Sequence, residues 1–284
     1  MKRSLDHLVM PTADLAVARE RLTALGFTVA PDGIHPFGTA NCCVYVPGGT
    51  FLEPLAVRDA SAVAIAAEGG NVFVARDRLF RAAQGEEGLS ALVLATGDAD
   101  ADHERLVAQG LSAGENLTFS RPFTDASGKS AIATFRLAFG AARGVNDGFF
   151  FTCERVGVPA VDRAALERHE NGVVAIDEIA LAGSSGAALL QAVSQFAGSG
   201  DPHAVTLGDC VVRTCEASDF VAAFGEALAA DAPPFAAITF RTSDLRRLSD
   251  LLSSNDIRST RIGPRLVVPA AAGQGVIFAF EEPA

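Results

Sequence analysis

The chain has 284 residues, 49% hydrophobic and 20% charged, which is enough apolar material for packed cores and room for roughly two domains of ~100–200 residues. Lys plus Arg number 23 against 34 Asp plus Glu, a formal charge of -11, the wrong sign for a phosphate-backbone binder, so nucleic acid is excluded as a partner. No stretch runs apolar for the ~20 residues a membrane helix needs, and Asp6 and His7 interrupt the N-terminus before a secretory apolar region can form. A cytoplasmic protein with a small-molecule substrate or ligand and no membrane partner is expected, and a homodimer is compatible with the sequence. The 5 cysteines include no C-x-x-C pair, which speaks against a disulfide framework or a cysteine zinc site. Adjacent Cys42 and Cys43 read as small core fillers on opposite faces of a strand.

In chain order, a short apolar run leads four times through a polar turn into a helical stretch. The first run is Leu5 to Met10, with Asp14 as N-cap of a helix over Leu15–Leu25 and Gly26 closing it. The second is Leu89 to Leu94, followed by Thr96-Gly97-Asp98 and a helix ending at Gly110. The third is Val174 to Leu181, then Gly183-Ser184-Ser185 and a helix over Ala187–Ala197. The fourth is Phe235 to Phe240, then Thr242-Ser243-Asp244 and a helix over Leu245–Leu252. Each unit closes on a strand with an acid near its end: Glu53, Glu154, Glu216 and Glu281. Two intervals lack strand patterning, Arg58 to Glu87, whose core Val72–Ala83 reads as an amphipathic helix, and the Pro-containing Val156 to Gly172. The pattern predicts an α+β fold of four βαβββ modules, paired into domains over 1–155 and 172–284 with a linker at 156–171.

Leu5-Asp6-His7-Leu8-Val9, Leu25-Gly26-Phe27, Gly33-Ile34-His35-Pro36, Gly38-Thr39-Ala40-Asn41 and Phe51-Leu52-Glu53 stand in the order used by the glyoxalase-like branch of the vicinal-oxygen-chelate superfamily, which the first half resembles. In the second module the resemblance thins to Gly88-Leu89, Ser120-Arg121-Pro122, Asp125-Ala126-Ser127-Gly128 and Phe149-Phe150-Phe151. In the second half it rests on strand-helix rhythm and Arg168-His169-Glu170-Asn171-Gly172. The resemblance implies paired modules wrapping a sheet around a cleft, with metal ligands from the first and last strands of each module. Carried over by residue, these places match His7, Glu53 and Glu154, while the fourth falls on Ala91. One imidazole with two carboxylates suits Mg, Mn or Zn better than Fe, and a cleft without metal fits the loss of the fourth place. The corresponding second-half positions, Glu178, Glu216, Ala237 and Glu281, hold no imidazole, so that half reads as degenerate or as a second pocket.

The chemistry implied is a metal-assisted lyase or isomerase reaction on a small oxygenated metabolite such as a 2-oxo acid or hydroxy-ketone, with dioxygenase chemistry less favoured. His7 and Glu53 would hold the ion and Glu154 would move the proton. The alternative is a binding protein of the resistance type, gripping an apolar ligand in the same cleft without reaction; the 19 Phe residues suit it. His35, Asn41 and Arg121 are the candidate contacts for substrate oxygens, Arg121 as a planar carboxylate clamp. The plainer readings are a half-buried histidine at His7, a solvated strand end at Glu53, and loop residues at His35 and Arg121. Alternation puts Leu5, His7 and Val9 on one face, and puts Cys153 opposite Glu154 as core packing. Gly128-Lys129-Ser130 reads as a hairpin turn, and His103, His169 and His203 read as surface residues.

Overall fold

The structure is a computed structural model that describes residues 3–124, 130–157, 162–228 and 232–283. The first half runs β1 (Leu5–Pro11), α1 (Leu15–Ala24), β2 (Gly33–Ile34), β3 (Thr39–Asn41), β4 (Val44–Tyr45) and β5 (Phe51–Val57), then α2 (Ala60–Glu68) and α3 (Val72–Gln84). It continues through β6 (Ala91–Ala95), α4 (Ala99–Ala108), β7 (Leu117–Thr124), β8 (Ser130–Gly140) and β9 (Phe149–Val156). The second half runs β10 (Val173–Ala182), α5 (Gly183–Ala197), β11 (Ala204–Leu207), β12 (Cys210–Cys215), α6 (Ala217–Phe224), β13 (Phe235–Thr242), α7 (Leu245–Ser254), β14 (Thr260–Ile262), β15 (Arg265–Val268) and β16 (Ile277–Glu281). The α+β class and the repeated strand-helix-strands plan are as expected. Unit three departs from it, with α6 following two strands, so Glu216 caps a helix instead of ending a strand.

The first sheet has the order β2-β3-β5-β1-β6-β9-β8-β7, with β4 on β5. β1 and β6 are antiparallel at its centre, and each is flanked by a parallel partner, β5 and β9 respectively. The second sheet has the order β11-β12-β10-β13-β16-β15-β14. Each module opens with a central strand, and β1 is buried along its whole length. That is why it reads as a near-continuous apolar run in the sequence.

One apolar core joins the halves. It takes Leu8 and Met10 from β1, Leu22 from α1, Leu106 from α4, Leu189 and Phe196 from α5, Leu248 from α7 and Phe278 from β16. Phe27 is the pin: its ring lies 5.4 Å from Phe240, 6.2 Å from Phe278 and 6.3 Å from Phe280, all in the second half. The opposite face of each sheet has its own cover. On the first, α2 and α3 bring Val63, Val72 and Phe73 against Val9, Val93 and Phe151. On the second, α6 lays Phe220 and Phe224 against Ala180, Ala237 and Ala279 and fills the concavity. The run 156–171 is more than a tether where it is described. Leu166 packs on Ala30, Cys43 and Phe51, and the Asn171 side chain donates to the Leu25 carbonyl at 2.9 Å.

The turn at 125–129 lies outside the described residues, although β7 and β8 pair in antiparallel register on either side of it. Among the described residues no helix is long and apolar enough to cross a membrane.

Because one core spans both halves, calorimetry is expected to show a single unfolding transition. Phe27→Ala is expected to lower stability by about 3–5 kcal/mol in denaturant titration, the range for deleting a fully packed ring.

Candidate functional site

His7 owes its position to an irregularity in β1. The pairing with β6 runs Leu5 to Leu94 and then His7 to Val93, leaving Asp6 without a partner. This is a β-bulge, which turns two neighbouring side chains toward one side. Leu5 therefore joins Leu8 in the shared core, contrary to simple alternation, while Asp6 and His7 meet at the mouth of the first sheet's concave face. The Asp6 carboxylate is 2.5 Å from His7 Nδ1 and receives both Arg155 guanidinium nitrogens, at 2.5 and 2.6 Å.

The other imidazole nitrogen of His7 lies 3.2 Å from Glu53 on β5. The Asn41 amide on β3 donates to the remaining Glu53 oxygen at 2.5 Å, and His35 Nε2 stands 3.7 Å from that same oxygen. His35 Nδ1 pairs with the Thr39 hydroxyl at 2.9 Å. All five polar side chains, Asp6, His7, His35, Asn41 and Glu53, are at most 6% exposed. Buried charge of this kind persists only when paired. The His7 ring also stacks on Phe51 with centroids 4.4 Å apart, and His35 stacks on Phe37 at 5.1 Å.

These groups sit in a slot walled by Phe37, Phe73, Phe119, Phe135 and Phe151, with Arg121 and Arg163 at its edges. Its walls enclose about 750 Å³ with the open mouth included, but the centre of a water-sized molecule can range over only about 70 Å³. A small, flat molecule fits it better than a bulky one.

The charges hold one another. Burial works to neutralise His7, but the Asp6 and Glu53 carboxylates on its two nitrogens outweigh it and raise the imidazole pKa. Burial likewise opposes ionisation of Glu53, and His7, His35 and Asn41 together bring its pKa below the usual range. For His35 burial outweighs the pull of the more distant Glu53 carboxylate and lowers the pKa to about 4, leaving a neutral ring at pH 7. Burial pushes the Cys43 and Cys153 thiols upward, so neither lends a thiolate.

Of the residues singled out in the sequence, His7, Glu53, His35, Asn41 and Arg121 come together here, and Glu154 does not. On β9, Phe151 and Cys153 face the slot, while Glu154 points to the opposite side. There it accepts from the Ala99 backbone N–H at the start of α4 at 3.0 Å and lies 3.5 Å from Arg136. It can neither complete a metal set nor reach a substrate in the slot. Strand register explains the misplacement. His7 pairs with Phe51, two residues before Glu53; the same offset from Ala91, which pairs with Phe149, ends on Phe151. The four places implied by the resemblance are thus His7, Glu53, Ala91 and Phe151, and the latter two are apolar.

His169 is not a free surface residue. It accepts the Thr28 N–H at 3.1 Å on Nδ1 and donates from Nε2 to the Tyr45 carbonyl at 2.9 Å. Sequence reading also passed over Asp6, Arg155 and the aromatic wall. Adjacency to His7 was the one available signal for Asp6.

In the second half the positions matching His7 and Glu53 carry Glu178 and Arg213, which form an ion pair at 2.8 Å. Arg265 bridges Glu178 and Glu281, at 3.4 and 3.0 Å. With α6 seated over this network, the second concave face is closed.

The model of the glyoxalase-like domain matches residues 5–196, about two thirds of the chain. The chain belongs to the glyoxalase-like domain family. This family lies within the vicinal-oxygen-chelate superfamily. A search of curated proteins gives no match. Among solved structures, a hypothetical protein from Staphylococcus aureus superposes with a TM-score of 0.64 at 13% identity, covering 99% of this chain and 100% of that one. A mutant of 4-hydroxymandelate synthase from Streptomyces coelicolor superposes at 0.57 and 13% identity, covering 99% and 92%. A Mn(II)-bound glyoxalase from Novosphingobium aromaticivorans gives 0.49 at 11% identity, covering 99% and 83%. These likenesses concern the fold. Of these three, the glyoxalase alone is named as metal-bound, and in this chain the donors do not fit an ion. Two of the four places are apolar, and the remaining two donors are turned on each other. Among the described residues no group of three His, Cys, Asp or Glu side chains is arranged to hold a metal.

The two histidines act on stability in opposite pH ranges. His35, lowered from 6.5 to about 4, contributes stability that is present above pH 6.5 and lost as pH falls toward 4, because only the unfolded chain takes the proton there. His7, raised from 6.5, contributes stability that is present below pH 6.5 and lost as pH rises through its folded value. Stability measured by denaturant titration is expected to peak near pH 6.5. His35→Gln is expected to flatten the limb between pH 6.5 and 5, apart from a smaller share due to His169, which burial also lowers.

Proposed function

We propose that the first-half cleft binds a small apolar organic molecule without a metal ion, and that the protein is a ligand-binding member of its family rather than a metal-assisted lyase or isomerase. The observation that carries this reading is the closed pairing of His7 with Glu53 in a slot whose other two donor places are Ala91 and Phe151. An ion entering there would have to break the His7–Glu53 and Asn41–Glu53 contacts, and the places at Ala91 and Phe151 would give it no ligand.

Proton-transfer chemistry also lacks an agent. A useful general base has a pKa near the working pH and a free lone pair. Glu53 is lowered and engaged, His7 is raised and engaged by an acid on each nitrogen, His35 is lowered to about 4, and Glu154 lies behind the sheet. What the slot offers is six Phe rings and Tyr45 around a fixed polar floor, the lining that small-molecule pockets use.

The test pairs two measurements on the purified protein. Calorimetric titration with Mg, Mn, Fe(II) and Zn ions is expected to give no stoichiometric binding. A thermal-shift screen of small aromatic compounds is expected to find ligands that raise the melting temperature by a few degrees at about 100 times their Kd, an effect lost in Phe119→Ala. One-to-one metal binding that disappears in both His7→Ala and Glu53→Gln would overturn the proposal and restore the metal-assisted reading.

A further inference from the structure

We infer that the ligand of this cleft is an aromatic carboxylate whose acid group is held by Arg121, and that Gly33 is a positioning residue that leaves room for that guanidinium. The inference rests on the metal-free binding reading and names the ligand class.

The charges around the slot fall into pairs with a remainder. Asp6 is matched by the two-pronged contact of Arg155, and Glu53 is matched by His7. Arg163 lies over the Tyr45 ring at 4.4 Å, and Arg121 remains beside the slot. Among the described residues no carboxylate forms an ion pair with it, and its guanidinium carbon stands 5.5 Å from the Phe135 ring centroid. Its charge is felt across the slot: it adds to the fall that burial gives His35 and opposes the larger rise that burial gives Cys43, Tyr45 and Cys153. A guanidinium drawn out of bulk water into an aromatic cleft is stabilised by a bound anion, and its planar fork matches the two oxygens of a carboxylate. The narrow space between Phe37, Phe73, Phe119 and Phe135 suits a flat ring attached to that acid.

The placement of Arg121 depends on the strand across the mouth. Arg121 lies on edge strand β7 and Gly33 on β2, at the opposite edge of the same sheet, and the sheet curls until the two meet. A methyl group on Gly33 would come within 2.0 Å of an Arg121 terminal nitrogen and 2.5 Å of the Asn41 side-chain oxygen. The nearest atom is the far end of a flexible side chain. Gly33→Ala therefore displaces the guanidinium and also presses on the Asn41 amide, both of them side-chain contacts.

The experiment compares two probes of nearly equal shape, 3-phenylpropionate and its neutral amide, by calorimetry at pH 7.5 with wild type, Arg121→Gln and Gly33→Ala. Wild type is expected to prefer the carboxylate by about tenfold or more, as a charge-assisted contact gives. The preference is expected to collapse in Arg121→Gln and to shrink severalfold in Gly33→Ala. Equal binding of both probes by wild type overturns the carboxylate assignment and leaves the binding reading standing. An unchanged preference in Gly33→Ala beside a collapsed one in Arg121→Gln removes the role given to Gly33. Binding of neither probe at millimolar concentration, together with a stoichiometric metal, overturns this inference and the binding reading together.

Discussion

The cleft depends on an imidazole held between two carboxylates inside an apolar sheet. His7 could not remain charged at 5% exposure without Asp6 on one nitrogen and Glu53 on the other, and Glu53 in turn is held ionised chiefly by His7. Everything polar in the slot is arranged around that line. Arg155 closes the Asp6 end, Asn41 closes the Glu53 end, and His35 is left neutral because burial outweighs the pull of Glu53. The bulge at Asp6 makes the line possible by giving two successive residues of one strand the same side.

The second half shows the same scaffold resolved differently. Glu178 and Arg213 occupy the matching strand positions, so the carboxylate is matched by a guanidinium instead of an imidazole. Phe220 and Phe224 of α6 then fill the hollow. The first sheet is covered from the side by α2 and α3, which leaves its hollow open beyond Phe73. A short helix inserted after β12 thus decides which of two related sheets keeps a cavity.

Much of this was legible in the sequence. The four strand-helix starts stand out because each opens a buried central strand, and His7, Glu53, His35, Asn41 and Arg121 lie in or beside the segments that carry the family resemblance. Glu154 failed for a definable reason. The acids were aligned by the ends of their strands, whereas the sheet aligns the strands by their starts: Phe51 matches Phe149, so Glu53 matches Phe151. An error of three residues reverses the face of a strand. The bulge was illegible because strict alternation was assumed through Leu5, and α6 because the third unit was read as a copy of the others. The pairing of Arg121 with Gly33 joins the two edges of a sheet, a closure that no local pattern encodes.

The connector between the halves has a consequence for dissecting the molecule. Arg163 lies 4.4 Å over the Tyr45 ring, Leu166 backs Cys43 and Phe51, and His169 locks Tyr45 to Thr28. A gene fragment stopping at residue 155 would encode every donor discussed for the slot and still lack one of its sides. The natural seam of the repeat and the natural seam of the container are offset, so the smallest intact vessel is longer than the smallest intact pair of modules.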